Sequence, residues 1–155
     1  MTEPGAKFGK IIVKQLPTNT DLVESIKKVC TDNGIRYGTI LSTVGSVRKL
    51  TIECVVPSDT SGSGFDFGPP KVIPGPLQVL GLDGTIFETD AGEMDTHIHG
   101  SFADSEGNVY GGHLIEGENP IATRLVTVIG EIADVSLVEK FDEASGHRLL
   151  HVKLL

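Results

Sequence analysis

The sequence is short of cysteine, of positive charge and of long apolar runs, and each shortage narrows what the chain can be. Only two cysteines are present, Cys30 and Cys54. They sit in apolar surroundings with no CxxC spacing, so a disulfide scaffold and a zinc-ribbon type of site are both disfavoured, and buried free thiols are expected. No apolar run approaches the roughly 20 residues that span a bilayer. The opening segment MTEPGAKFGKII has neither the basic stretch nor the apolar run of a secretory signal, so a cytoplasmic location is the default expectation. Thirteen Lys and Arg stand against 21 Asp and Glu, a formal net charge of -8. The basic residues are scattered and never occur more than two together. Duplex DNA is held mainly through Lys and Arg on phosphates, and nothing here marks a basic face.

Turn formers are plentiful: 19 glycines and eight prolines in 155 residues, with 39% apolar residues. This composition predicts a single β-rich domain with a sizeable core rather than a helix bundle. KIIVKQL, residues 10–16, reads as a first strand. TDLVESIKKVCTDNG then reads as a helix, with Thr20 as N-cap, Asp21 and Glu24 in the first turn, and Gly34 at the C-terminal stop. Leu22, Ile26, Val29 and Cys30 form its apolar stripe, and Lys27 and Lys28 are expected to face water.

Two strands are expected around Gly45-Ser46, then a loop over 57–76, rich in Gly, Ser and Pro. A loop this long in a small domain is expected to be flexible or to face a ligand, with Phe65 and Phe67 as possible anchors. Residues 77–87 read as a strand. NPIATRL begins a short second helix, with Asn119 as cap and Pro120 in the first turn. The following strand-rich segment breaks near Ala133-Asp134, EASG makes a turn, and HRLLHVKLL closes as a last strand or packs as a tail. The expected fold class is α+β: one domain over residues 1–155, a mostly antiparallel sheet, one main helix and a short second one.

Three of the five histidines fall in DTHIHGSFADSEGNVYGGHLIEG, residues 95–117. Ser105-Glu106-Gly107 suits a three-residue hairpin loop with glycine in the left-handed conformation. Asp104 then pairs with Asn108, and opposed residues sum to 212. His99 falls opposite His113, with His97 diagonal to it. Alternation puts His97 and His99 on one face, and opposed residues share a face, so three imidazoles converge. A divalent metal suits such a cluster, because neutral imidazole is a strong ligand for Zn, Fe, Ni or Cu, and three histidines with an open position is the pattern of catalytic zinc. Asp95 and Ser101 lie on the same face as further ligands or supporting groups; a water is the other candidate for a fourth ligand. The competing reading is three surface histidines that merely share a hairpin.

Glu116 is a candidate acid/base and Arg48 a candidate anion anchor, as is Arg124. The Gly111-Gly112 pair lets backbones approach closely beside His113. His147 and His151 lack a visible third partner and are expected to face solvent or a partner. No P-loop, GxSxG or strand-following GxGxxG is present.

GIRYGTILSTVGSVR, VLGLDGTI and GNVYGGHLIEG, taken in this order, resemble the plants-and-prokaryotes-conserved (PPC) domain family across nearly the whole chain. The resemblance implies an α/β sandwich-like domain that assembles as a homotrimer. In plants this domain follows an AT-hook in nuclear DNA-binding proteins; prokaryotic members usually stand alone and are called DNA-binding by analogy. Many prokaryotic members keep the H-x-H and GGH histidines, suggested to bind metal, which here are His97, His99 and His113. No Arg-Gly-Arg-Pro core is present, and with the acidic charge this leaves DNA binding resting on fold analogy. The expectation is a metal-binding homotrimer, zinc first with Fe or Ni as alternatives, acting on or sensing a small molecule, with no membrane partner. The alternative is a DNA-associated regulator.

Overall fold

The computed structural model describes residues 5–155. Eleven strands and one helix follow in chain order: β1 (Lys7–Leu16), α1 (Leu22–Asp32), β2 (Gly38–Val44), β3 (Ser46–Glu53), β4 (Val55–Pro57), β5 (Phe65–Phe67), β6 (Lys71–Thr89), β7 (Met94–Ala103), β8 (Val109–Leu114), β9 (Leu125–Ala133), β10 (Val135–Asp142) and β11 (His147–Leu154). The mostly antiparallel sheet with one main helix is therefore present as expected.

The main sheet runs β1-β9-β2-β6-β3-β8-β7, and β7 pairs back onto β6. Strands β6, β3, β8 and β7 thus close into a ring. The 19-residue β6 makes this possible: its first part pairs with β3 and its later part with β7. Inside lies the core, where Leu50, Leu77, Ile98, Phe102 and Leu114 are fully or almost fully buried. Helix α1 packs against β7 and β1. Leu22, Val23, Ile26, Val29 and Cys30 are buried along its inner stripe. Both cysteines are free thiols, and burial pushes the Cys30 thiol up to about 11.

Four local expectations are corrected. The helix cap is Asp21 rather than Thr20: Asp21 Oδ1 accepts from Glu24 N at 2.9 Å, while the Thr20 hydroxyl donates to Pro17 O instead. Lys27 does not simply face water, since its Nζ lies 3.0 Å from Asp95 and 2.9 Å from Glu116 and ties α1 to β7 and the segment after β8. The short second helix does not form. Asn119, expected as its cap, is fully buried and holds Thr51 and Ile115 through its amide, and Pro120 and Ile121 make isolated bridges to Asp21 and Val47. Tertiary pairing of this backbone outcompetes a local turn of helix.

Residues 57–76 are not one irregular loop either. Pro57 and Phe65 to Phe67 belong to a small β4–β5 hairpin, and 71–76 is the start of β6. The break after Ala133 is as expected, with Asp134 at φ 62°, a left-handed conformation that Asp tolerates better than most residues.

Candidate metal centre

The β7–β8 hairpin positions the histidines, and its turn is held by one side chain. Asp104 Oδ1 accepts from the backbone N–H groups of Glu106 and Asn108, both at 2.9 Å, and Oδ2 accepts from Asn108 Nδ2 and the Tyr110 hydroxyl. These donors hold the Asp104 carboxyl below its usual range, the Asn108 side chain contributing most. Gly107 takes φ 85°. The register that results pairs His99 with His113, Gly100 with Gly112 and Ala103 with Val109, the sum of 212 that the turn implies.

The ladder extends beyond the hairpin. Glu53 of β3 pairs with His113, and Asp83 of β6 pairs with His99. One rung across four strands therefore reads Glu53, His113, His99, Asp83, and paired residues share a face. His97 stands opposite Thr85 on the same face.

The three imidazoles meet. Ring centroids are 4.5 Å apart for His97 and His113, 4.7 Å for His97 and His99, and 5.6 Å for His99 and His113. One ring nitrogen from each lies within 4.8 Å of the others, and Nε2 of His97 is 3.0 Å from Nε2 of His99. His113 Nδ1 is buried and has no hydrogen-bond partner among the described residues. Burial, and then the neighbouring imidazoles, push the His113 ring down to about 4; partial burial and then His99 lower His97. Neutral rings keep their lone pairs free for a cation.

A tetrahedral zinc at roughly 2.0–2.1 Å from each nitrogen would set those nitrogens roughly 3.3 Å apart. The donor set and its spacing fit such an ion with small side-chain adjustments. His97, His99 and His113 would hold it, and a bound divalent ion would supply Lewis acidity to a ligand.

A cavity of about 440 Å³ opens beside the cluster, with His97 and His113 on one wall. The β4–β5 hairpin supplies Phe65 and Phe67, and β11 supplies His147 and Arg148. His147 was expected to face solvent or a partner; instead it is half-buried, stacked on Phe65 at 5.0 Å, with its Nε2 2.8 Å from Ser63 Oγ. The Phe67 ring lies 6.2 Å from that of His113. Arg148 commits Nε to Glu139 at 2.6 Å and Nη2 to Asp90 at 2.7 Å.

The other sequence candidates lie as follows. Asp95 is tied to Lys27 on the histidine face of β7, and Ser101 shares that face opposite Gly81 and Gly111. Glu116 is also tied to Lys27, and Arg48 Nε donates to Asn19 Oδ1 at 2.7 Å. Neither Glu116 nor Arg48 lines the cavities that hold the histidines. Arg124 and His151 are exposed. Sequence reasoning missed Glu53, Glu139 and Arg148 as wall residues. Their strands are joined to the hairpin by long-range pairing that no local pattern announces.

A closed β-ring with an outward three-histidine cluster defines a small, mostly antiparallel α+β domain. The family model for the Plants and Prokaryotes Conserved (PCC) domain matches residues 4–140, and the chain belongs to that family. The fold is similar to that of a metal-containing protein from Archaeoglobus fulgidus, at 26% identity and TM-score 0.77, covering 97% of this chain and 99% of that one. It is also similar to a candidate DNA-binding protein from Bacteroides thetaiotaomicron, at 17% identity and TM-score 0.73, covering 94% and 96%, a likeness of fold alone. A Synechococcus protein, bifunctional protein GlmU, is 25% identical over 144 residues, 93% of this chain but 20% of that protein. The chain spans about a fifth of the length of the curated relatives it matches.

Proposed function

We propose that this protein binds one divalent cation, zinc first, through His97, His99 and His113, and presents it to a small molecule in the adjoining cavity. The observation that carries this reading is the convergence of three ring nitrogens within 4.8 Å, with His113 Nδ1 buried and unpartnered. The Archaeoglobus relative described as metal-containing, at 26% identity, supports it. Metal analysis of the purified protein tests it: about one metal per chain is expected, lost in His99→Ala. No metal, with His99→Ala unchanged, refutes it.

The same reading includes assembly as a homotrimer in the cytoplasm. Apolar side chains left exposed on the single chain favour self-association, among them Phe8, Ile11, Val13, Val44, Phe141 and Val152. Light scattering in solution distinguishes a trimer from a monomer or dimer. Glu116 and Arg48, each engaged by a neighbour, are assigned supporting rather than chemical roles. DNA association is the weaker reading. It rests on family analogy and on a structural likeness at 17% identity, against a formal net charge of -8. A gel-shift titration at low salt decides it, since phosphate contacts weaken steeply as salt rises.

A further inference from the structure

Asp83 stands opposite His99 but is exposed and lines none of the cavities that hold the histidines; of four other carboxylates near the cluster, Glu53 and Glu139 line those cavities, and Asp95 and Glu116 do not. Three of the four are engaged: Asp95 and Glu116 by Lys27, Glu139 by Arg148. The fourth, Glu53, is half-buried, and its side chain makes no hydrogen bond or ion pair among the described residues. It stands directly opposite His113 on the β3–β8 ladder. It also lines two cavities, one about 440 Å³ and the other about 230 Å³, and His113 lines both. Its neighbour Ile52 is turned into the core beside Leu114, so the alternation of β3 sends Glu53 to the histidine face.

A carboxylate is an acceptor only. Beside a cation it favours a ligand that brings an O–H or N–H donor next to its cation-binding oxygen. It disfavours a plain carboxylate, whose second oxygen would meet it with like charge. The nearby guanidinium does not offset this, because Arg148 is already paired with Glu139 and Asp90.

We infer that Glu53 is the specificity-determining residue of the cavity, selecting small oxygen ligands that carry a hydrogen-bond donor adjacent to the cation-binding oxygen, of the hydroxamate or α-hydroxy-acid kind. This rests on the three-histidine metal reading.

Titration of the zinc-loaded full chain with acetohydroxamate and with acetate, followed by calorimetry, tests the inference. Metal content is measured first in each protein. Acetohydroxamate chelates zinc better than acetate in any case, so the change on substitution is what counts. In Glu53→Met, acetohydroxamate is expected to weaken by about tenfold or more, as for loss of a hydrogen bond to a charged group, while acetate binds as well or better. Glu53→Gln, which keeps an acceptor, recovers much of the acetohydroxamate affinity. Equal weakening of both probes in Glu53→Met, or no weakening of acetohydroxamate, overturns the inference, as does loss of zinc from Glu53→Met, which would make Glu53 a ligand. Wild-type protein without metal overturns the metal reading itself, and is seen before any probe is added.

Discussion

Gly112 lies against the backbone of Glu53: a Cβ built at Gly112 would come 2.6 Å from the Glu53 carbonyl oxygen and 3.2 Å from Ile52 Cβ. The second glycine of the GGH motif therefore permits the β3–β8 approach that sets Glu53 opposite His113. At Gly111 the nearest atom to such a Cβ is Gly100 O, at 3.1 Å.

Gly112→Ala is accordingly expected to push β8 from β3 and misplace His113 without removing a ligand. Metal affinity should fall by about tenfold, the lower end of the cost of disturbing groups that orient ligands. Gly111→Ala should do less. Competition with a chelator for zinc, run on both variants, measures the difference; equal effects would contradict the close-approach argument.

The metal-free protein should lose stability in mild acid. The His113 ring is held down to about 4, burial being the largest cause, against an unfolded value near 6.5. Well above pH 6.5 the ring is neutral in both states and contributes no pH dependence. As pH falls from about 6.5 to about 4, the unfolded chain binds the proton first, and stability drops. The ring is only partly buried, so the loss is discounted to about 1 kcal/mol. Urea unfolding of metal-free protein at pH 7 and pH 5 checks this, and His113→Gln should show a shallower pH dependence than wild type.

Asn119→Ala should be among the more damaging single substitutions. Its buried amide accepts from Thr51 N at 2.8 Å and donates to Thr51 O at 3.2 Å and Ile115 O at 2.7 Å. Removing it strands buried backbone groups, at about 1–3 kcal/mol each before relaxation. A net loss of about 3 kcal/mol corresponds to a fall of about 6–12 °C in Tm for a chain this size. Asn119→Asp, which keeps the acceptor but sets a carboxylate against two carbonyls, should do no better. A thermal melt within 2 °C of wild type would show that water takes over these bonds.

Much of the histidine cluster is legible in the sequence because its geometry is local. Asp104, Gly107 and Asn108 determine the turn, the turn determines the register, and strand alternation places His97, His99 and His113 together. The α1 stripe was legible for the same reason, a period read over eleven residues. Asn119-Pro120 was misread because a helix cap and a buried polar staple begin with the same residues. Only the strands around them, β3 above all, decide between the two.

The sequence by itself determined the β7–β8 hairpin and its three converging histidines, because a three-residue turn and a two-residue period leave one register that buries Ile98, Phe102 and Leu114. Tertiary structure alone decided what faces the cluster: Glu53 beside His113, Phe67 from the β4–β5 hairpin, and His147 and Arg148 from β11. Those partners lie tens of residues away. Their meeting depends on which sheet edges pair and which apolar faces pack, a balance of the whole core rather than of any short stretch.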